Sequence, residues 1–130
     1  VQEYRSILEC TYMQRYWHKL TPDKLLELKQ LMDEEYKEST EYDAFTHWSK
    51  NIRFHLKLFS FYENTYAYNA LKSAMTTQTR AYAQIRWEKW HSPVFSDSGN
   101  AHFALMDSIQ NNNITQAISV LQTDITNIYM

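Results

Sequence analysis

The 130 residues include one glycine and two prolines. A fold of many strands needs tight turns, and tight turns draw heavily on those two residues, so a chain this poor in them is restricted to long helices with few connections. The expectation is an all-α antiparallel bundle of about six helices forming a single domain over residues 1–130. Apolar residues make up 44% of the chain, enough to fill one core at this length.

The apolar periodicity places the helices. The first is read from Val1 to about Lys19, with Tyr4, Ile7, Leu8, Tyr12 and Met13 on one side. Leu20-Thr21-Pro22-Asp23 then gives a start signal: Thr21 as cap, Pro22 in the first turn and Leu20 stapled onto Leu25. The second helix runs to about Lys37 on the row Leu25, Leu28, Met32 and Tyr36. The third, Thr40 to Tyr62, has Phe45, Trp48, Ile52, Phe59 and Tyr62 in its stripe, and the fourth spans Asn64 to Trp90. Pro93 predicts a break there. Ser92 to Asn100 holds Pro, Gly, three Ser and Asp, and predicts a loop. A fifth helix reaches about Gln110, Asn111-Asn112-Asn113 supplies a stop and a new cap, and a sixth starts at Ile114 with Ala117, Leu121, Ile125 and Ile128 inward.

Several function classes are disfavoured by the same sequence. No Gly-rich phosphate loop, Cys-x-x-Cys pair or Gly-x-Ser-x-Gly elbow is present, and no catalytic constellation is expected. The net charge of −2, with thirteen scattered basic residues, makes direct nucleic-acid binding by this segment unfavourable. Cys10 stands alone, which excludes an internal disulfide and fits a reducing, cytoplasmic setting; a small core residue is the expected role. No apolar run approaches the roughly 18 residues of a membrane span, so no membrane association is expected. Val1 opens inside a helical pattern, which suggests that the segment continues a longer polypeptide.

Polar residues that interrupt apolar rows are the candidates for chemistry. His55 fills the gap between Ile52 and Phe59, and Asn51 lies one turn before it on the same flank. His102 leads the row Leu105-Ile109, and Asp124 falls between Leu121 and Ile128. Three helices thus offer two imidazoles, a carboxylate and an amide oxygen, a set suited to a divalent metal. Hydrogen-bonded core histidines and a solvated Asp124 would account for the same pattern. Two other pairings are weaker. Glu88 and His91 match half of a di-iron motif whose second copy is missing, and Asp43 lies near a helix start, where an acid is favourable without His47 as a co-ligand.

Three blocks give a family resemblance. They are the opening Val1-Gln2-Glu3-Tyr4-Arg5-Ser6-Ile7-Leu8-Glu9; Phe54-His55 followed by Asn64; and His102 with Ala104-Leu105-Met106-Asp107-Ser108-Ile109, then Ala117 and Leu121. In this order they resemble the FCD domain, the C-terminal effector-sensing domain of the FadR/VanR branch of GntR-type transcription regulators. The resemblance implies an effector-binding domain that forms a homodimer, senses a small carboxylate, and meets DNA only through an N-terminal winged helix-turn-helix domain that this chain lacks. It also implies a divalent metal (Zn, Ni or Mn) at Asn51, His55, His102 and Asp124. Asn51 stands where the family has Asp, and Asp124 where it has His. The exchange keeps one carboxylate in the set and predicts a weakened site. Arg5 matches the family's first-helix Arg and is a candidate for the effector's carboxylate, with an intrahelical pair to Glu9 as the alternative. Arg80 and Arg86 are weaker effector-binding candidates. An apolar or acyl effector bound without metal remains open, as does an unrelated helical interaction module in which the aromatic residues only pack.

Overall fold

Helices account for nearly all of the described chain, as the shortage of turn formers requires. The computed structural model describes residues 1–37, 44–85 and 92–127. Among them are six helices: α1 (Gln2–Arg15), α2 (Pro22–Lys37), α3 (Ala44–Ser60), α4 (Thr65–Ile85), α5 (Ser92–Gln110) and α6 (Ile114–Asn127), with a 3-10 turn at Trp17–Lys19 after α1. No strand occurs among the described residues, and no helix among them is long and apolar enough to cross a membrane.

Local chemistry sets the junctions. Pro22 opens α2, where its missing N–H breaks no helical bond, and Leu20 and Leu25 are both buried across that start. Asn64 caps α4, its Oδ1 accepting the Ala67 N–H at 2.9 Å. The α5–α6 turn is built from three asparagines. Asn112 takes φ 54°, its N–H reaches the Ile109 carbonyl, and the Asn113 N–H reaches the Ser108 carbonyl. That double closure is the glycine-type helix stop, made here by an asparagine, the other residue that tolerates the left-handed conformation. Asn113 then caps α6 by accepting the Gln116 N–H at 3.1 Å, while Trp17 Nε1 donates to Asn112 Oδ1 at 2.8 Å and ties the turn to the first connection.

The helices run antiparallel where side-chain bonds fix their ends. The start of α1 meets the end of α6 through Gln2 Nε2 and the Ile125 carbonyl, 3.3 Å apart, and meets the late part of α4 through Arg5 and Gln78. Trp48 Nε1 donates to Thr79 Oγ1 at 2.8 Å and joins α3 to α4. The core between them contains Met13, Leu28, Met32, Leu58, Phe59, Leu71, Met75, Leu105, Leu121 and Ile125. Tyr12, Tyr16, Phe59 and Tyr62 form one aromatic cluster where α1 ends, with ring centroids 5.1–6.3 Å apart.

Three expectations need correction. The first helix stops at Arg15 and tightens into the 3-10 turn instead of continuing to Lys19. Its inward row is only partly as expected: Met13 is buried and Leu8 and Tyr12 pack against the core, but Arg5 and Glu9 are buried too, while Tyr4 and Ile7 face outward at 48% and 61% exposure. Finally, Ser92 to Asn100 is helix rather than loop. Pro93 sits in the first turn, where it is tolerated, and the single Gly99 costs about 1 kcal/mol relative to alanine. Burial of His102, Leu105, Met106 and Ile109 further along the same helix offsets so small a penalty. Asp43, Arg86, Glu88, His91 and Ile128 lie outside the described residues, and with them the Asp43–His47 and Glu88–His91 pairs; Tyr36, Phe45 and His47 are described as helical backbone only.

Candidate metal and effector site

The four residues that interrupt the apolar rows are all buried. Asn51 and His55 sit one turn apart on α3, His102 on α5 and Asp124 on α6, each between 0% and 7% exposed. A buried polar group needs a partner, and His55, His102 and Asp124 supply each other's. His55 Nε2 lies 2.7 Å from Asp124 Oδ2, and His102 Nε2 lies 2.9 Å from the same oxygen. One ligand atom from each of His55, His102 and Asp124 falls within 4.8 Å of the others. Phe54 stacks flat on the His102 ring, centroids 3.8 Å apart and planes within 6°, which fixes the direction of that imidazole.

A second shell extends from His55 to α1 and α4. Glu9 Oε1 is 2.6 Å from His55 Nδ1, and Arg5 Nε donates to Glu9 Oε2 at 3.0 Å. Arg5 Nη1 donates to Gln78 Oε1, also at 3.0 Å. A line of charge therefore crosses the bundle from Arg5 through Glu9 and His55 to Asp124, and ends on the His102 ring. Five of the six helices contribute to it or to its ends; α2 does not.

Electrostatics follow from these contacts. Burial alone would strip the proton from His55, but Glu9 and Asp124 flank it, and their carboxylates push it up to about 9. Both ring nitrogens then donate, one to each carboxylate. Burial works against ionised Asp124 too, yet His102 and His55 hold its carboxyl well below the usual range. Glu9 is likewise held down against burial, by His55 and Arg5. His102 shifts the other way: burial lowers it, and Asp124 only partly compensates. Neighbouring Cys10 is half-buried, and burial followed by the Glu9 charge raises its thiol to about 11, the profile of an inert packing residue.

Among the described residues, two buried side-chain polar atoms lack a hydrogen-bond partner: Asn51 Oδ1 and Arg5 Nη2. An unpaired buried acceptor is expensive, typically about 1–3 kcal/mol. Asn51 Oδ1 thus has an unused lone pair one turn from His55, and Arg5 Nη2 an unused donor. The donor chemistry fits a divalent cation: two imidazole nitrogens, one carboxylate oxygen and one amide oxygen. The same atoms offer a cation and an anion one acceptor and one donor that the protein itself does not use.

Arg80 is not brought to this cluster. It lies on the exposed side of α4, and Gln78, two residues earlier, takes the inward position. Sequence reasoning missed Glu9 and Gln78 as site residues. The i, i+4 spacing of Arg5 and Glu9 signalled a pair, which is present, but not that the pair turns inward. Nothing local marks Gln78.

The FCD domain model matches residues 1–127. Neither the curated proteins nor the solved structures yield a match.

Proposed function

As the chain belongs to the FCD family, the effector-binding domain of GntR-type transcription regulators, we propose that it senses a small carboxylate with the help of a divalent metal held by Asn51, His55, His102 and Asp124. The observation that carries the reading is the convergence of three buried ligand atoms from three helices within 4.8 Å. The unpartnered Asn51 Oδ1 supplies a fourth. When bound, the metal would act as a Lewis acid that anchors one end of the effector. Zn, Ni and Mn all suit a set of two nitrogens and two oxygens. Because Asn51 gives only a neutral oxygen, the site is weaker than one with a carboxylate there, and Asn51→Asp tightens it.

Arg5 is the proposed anchor for the effector's negative charge. Its guanidinium is fully buried, two of its nitrogens are engaged, and Nη2 is left for a third bond. Between Glu9, His55, Leu58, Phe59, Tyr62 and Leu121 there is no space for even a water molecule. An effector entering beside His55 must therefore part α1 from α3 and α6. Such a displacement gives the differential interaction that regulation requires: occupancy favours one arrangement of α1 over another. In the regulator as a homodimer, α1 leads back toward the N-terminal winged helix-turn-helix domain, through which alone DNA is contacted.

The test is elemental analysis of purified protein together with thermal unfolding in Zn, Ni or Mn salts. Co-purified or titratable metal that raises the melting temperature is the expected result. Absence of both would remove the metal from the reading. A metal-free version has one observation in its favour: His55, His102 and Asp124 already bond to one another. It predicts an effector, apolar or acyl, that binds equally well after chelation.

A further inference from the structure

Glu9 is absent from the expected ligand set, yet it makes the shortest contact to any member of it. Its Oε1 lies 2.6 Å from His55 Nδ1, on the ring nitrogen opposite the one that faces Asp124. From that side Glu9 has no route to an ion shared by His55 Nε2, His102 and Asp124. It does have the geometry to control the ring. We propose that Glu9 is the positioning residue of the metal site, fixing His55 with its proton on Nδ1 and its Nε2 lone pair toward the ion, while Arg5 holds Glu9 in place.

This role rests on the metal reading above and on three contacts. A neutral imidazole carries one N–H, and coordination through Nε2 requires that proton on Nδ1. A carboxylate accepting from Nδ1–H selects that tautomer, stops rotation of the ring and makes Nε2 a better electron donor. Glu9 itself must be immobile for this to work, and it is. Arg5 Nε bonds the second carboxylate oxygen at 3.0 Å, and Gln78 Oε1 holds Arg5 Nη1 at 3.0 Å from α4. Both members of the pair are essentially inaccessible, at 0% and 2% exposure. The arrangement explains why α1 turns two charged residues inward and leaves Tyr4 and Ile7 outside. It also means that a ligand taken by Arg5 Nη2 touches the residue that holds Glu9, which links anion and metal through two side chains.

The experiment measures Zn2+ and Mn2+ affinity of the folded chain by chelator competition for wild type, Glu9→Gln and Glu9→Leu. The expected loss for Glu9→Leu is about 10–100-fold, the usual effect of deleting such a partner. Glu9→Gln keeps an acceptor oxygen and should fall between Glu9→Leu and wild type. If Glu9→Leu does not fold, Arg5→Met/Glu9→Leu removes both charges together and is measured the same way. Long-range 1H–15N NMR of Zn2+-loaded wild type supplies a readout that a merely structural role would not give: the proton on His55 Nδ1 and the metal on Nε2. A folded Glu9→Leu chain binding within twofold of wild type, or Nδ1 as the metal-bound nitrogen, overturns the positioning role and leaves the metal site standing. Wild type that takes up neither ion overturns the metal reading, and this role with it.

Discussion

The two ends of α1 pack into opposite kinds of interior. At its C-terminal end Met13, Tyr12 and Tyr16 join Phe59 and Tyr62 in a cluster held by area and ring contact. Toward its N-terminus Arg5 and Glu9 enter a chain of charges ending at His102. The aromatic end depends on no single orientation, because burial of apolar surface is non-directional. The charged end depends on every partner being present, since a buried charge without its counter-charge is severely unfavourable. One helix thus contains a region that tolerates substitution by degrees and another that does so only in matched sets.

The sharpest way to break this contrast is one substitution at each end. Asp124→Leu leaves His55 with a single carboxylate and removes the one bonded to His102 Nε2, and is expected to destabilise by about 3–5 kcal/mol in urea unfolding. Phe59→Ala, which empties a fully buried ring position, should lose a similar amount, about 3–5 kcal/mol. The two differ in what restores them. Metal at a hundredfold excess over its dissociation constant should stabilise Phe59→Ala as it does wild type, by about 2.7 kcal/mol, and leave Asp124→Leu unmoved. Equal stabilisation of both variants would mean that the ion binds elsewhere.

Acidity distinguishes the ends next. His55 is raised to about 9 in the folded chain, so its contribution is fully present below the unfolded value near 6.5 and is lost as pH rises through 9. Metal-free protein should lose on the order of 3 kcal/mol across that interval. On the acid side the signs reverse: Glu9 and Asp124 are lowered, and their stabilisation disappears as pH falls below the ordinary carboxylate values. His102, also lowered, adds to the loss below about 6.5, so the cluster contributes most near that pH. Phe59→Ala should show the same profile displaced downward, whereas His55→Phe should flatten its alkaline arm. An unchanged alkaline arm in His55→Phe would assign the transition to another group.

The smallest effect belongs to Arg80. On the exposed side of α4, Arg80→Ala should change stability by less than about 0.5 kcal/mol and leave metal affinity as it is. A measurable loss of effector binding would return Arg80 to the site.

The sequence makes the aromatic end readable and the charged end only in part, for a physical reason. Helical periodicity reports which residues prefer to leave water, and it correctly selects Leu25-Leu28-Met32 and Ala117-Leu121-Ile125 as inward rows. The same logic flags Asn51, His55, His102 and Asp124, which break apolar rows and are all buried. It fails on α1, where it expects Tyr4 and Ile7 inside. Arg5 and Glu9 can be buried only because His55 and Gln78 meet them from other helices, and no local pattern records partners 46 and 73 residues away. At the start of α5 the failure is different: Ser, Gly and Asn have weak helix preference, and packing further along the helix overrides it.

Gln2 reaching the Ile125 and Thr126 carbonyls brings the first and last described helices together across a separation of more than 120 residues. On a ribosome, α1 emerges long before the helix it must meet, and Asp124 arrives more than a hundred residues after Glu9. The charged row therefore cannot close until synthesis of the domain is nearly finished. The slow step of refolding should accordingly be the long-range docking of α6 onto α1, where the greatest loop-closure entropy is lost.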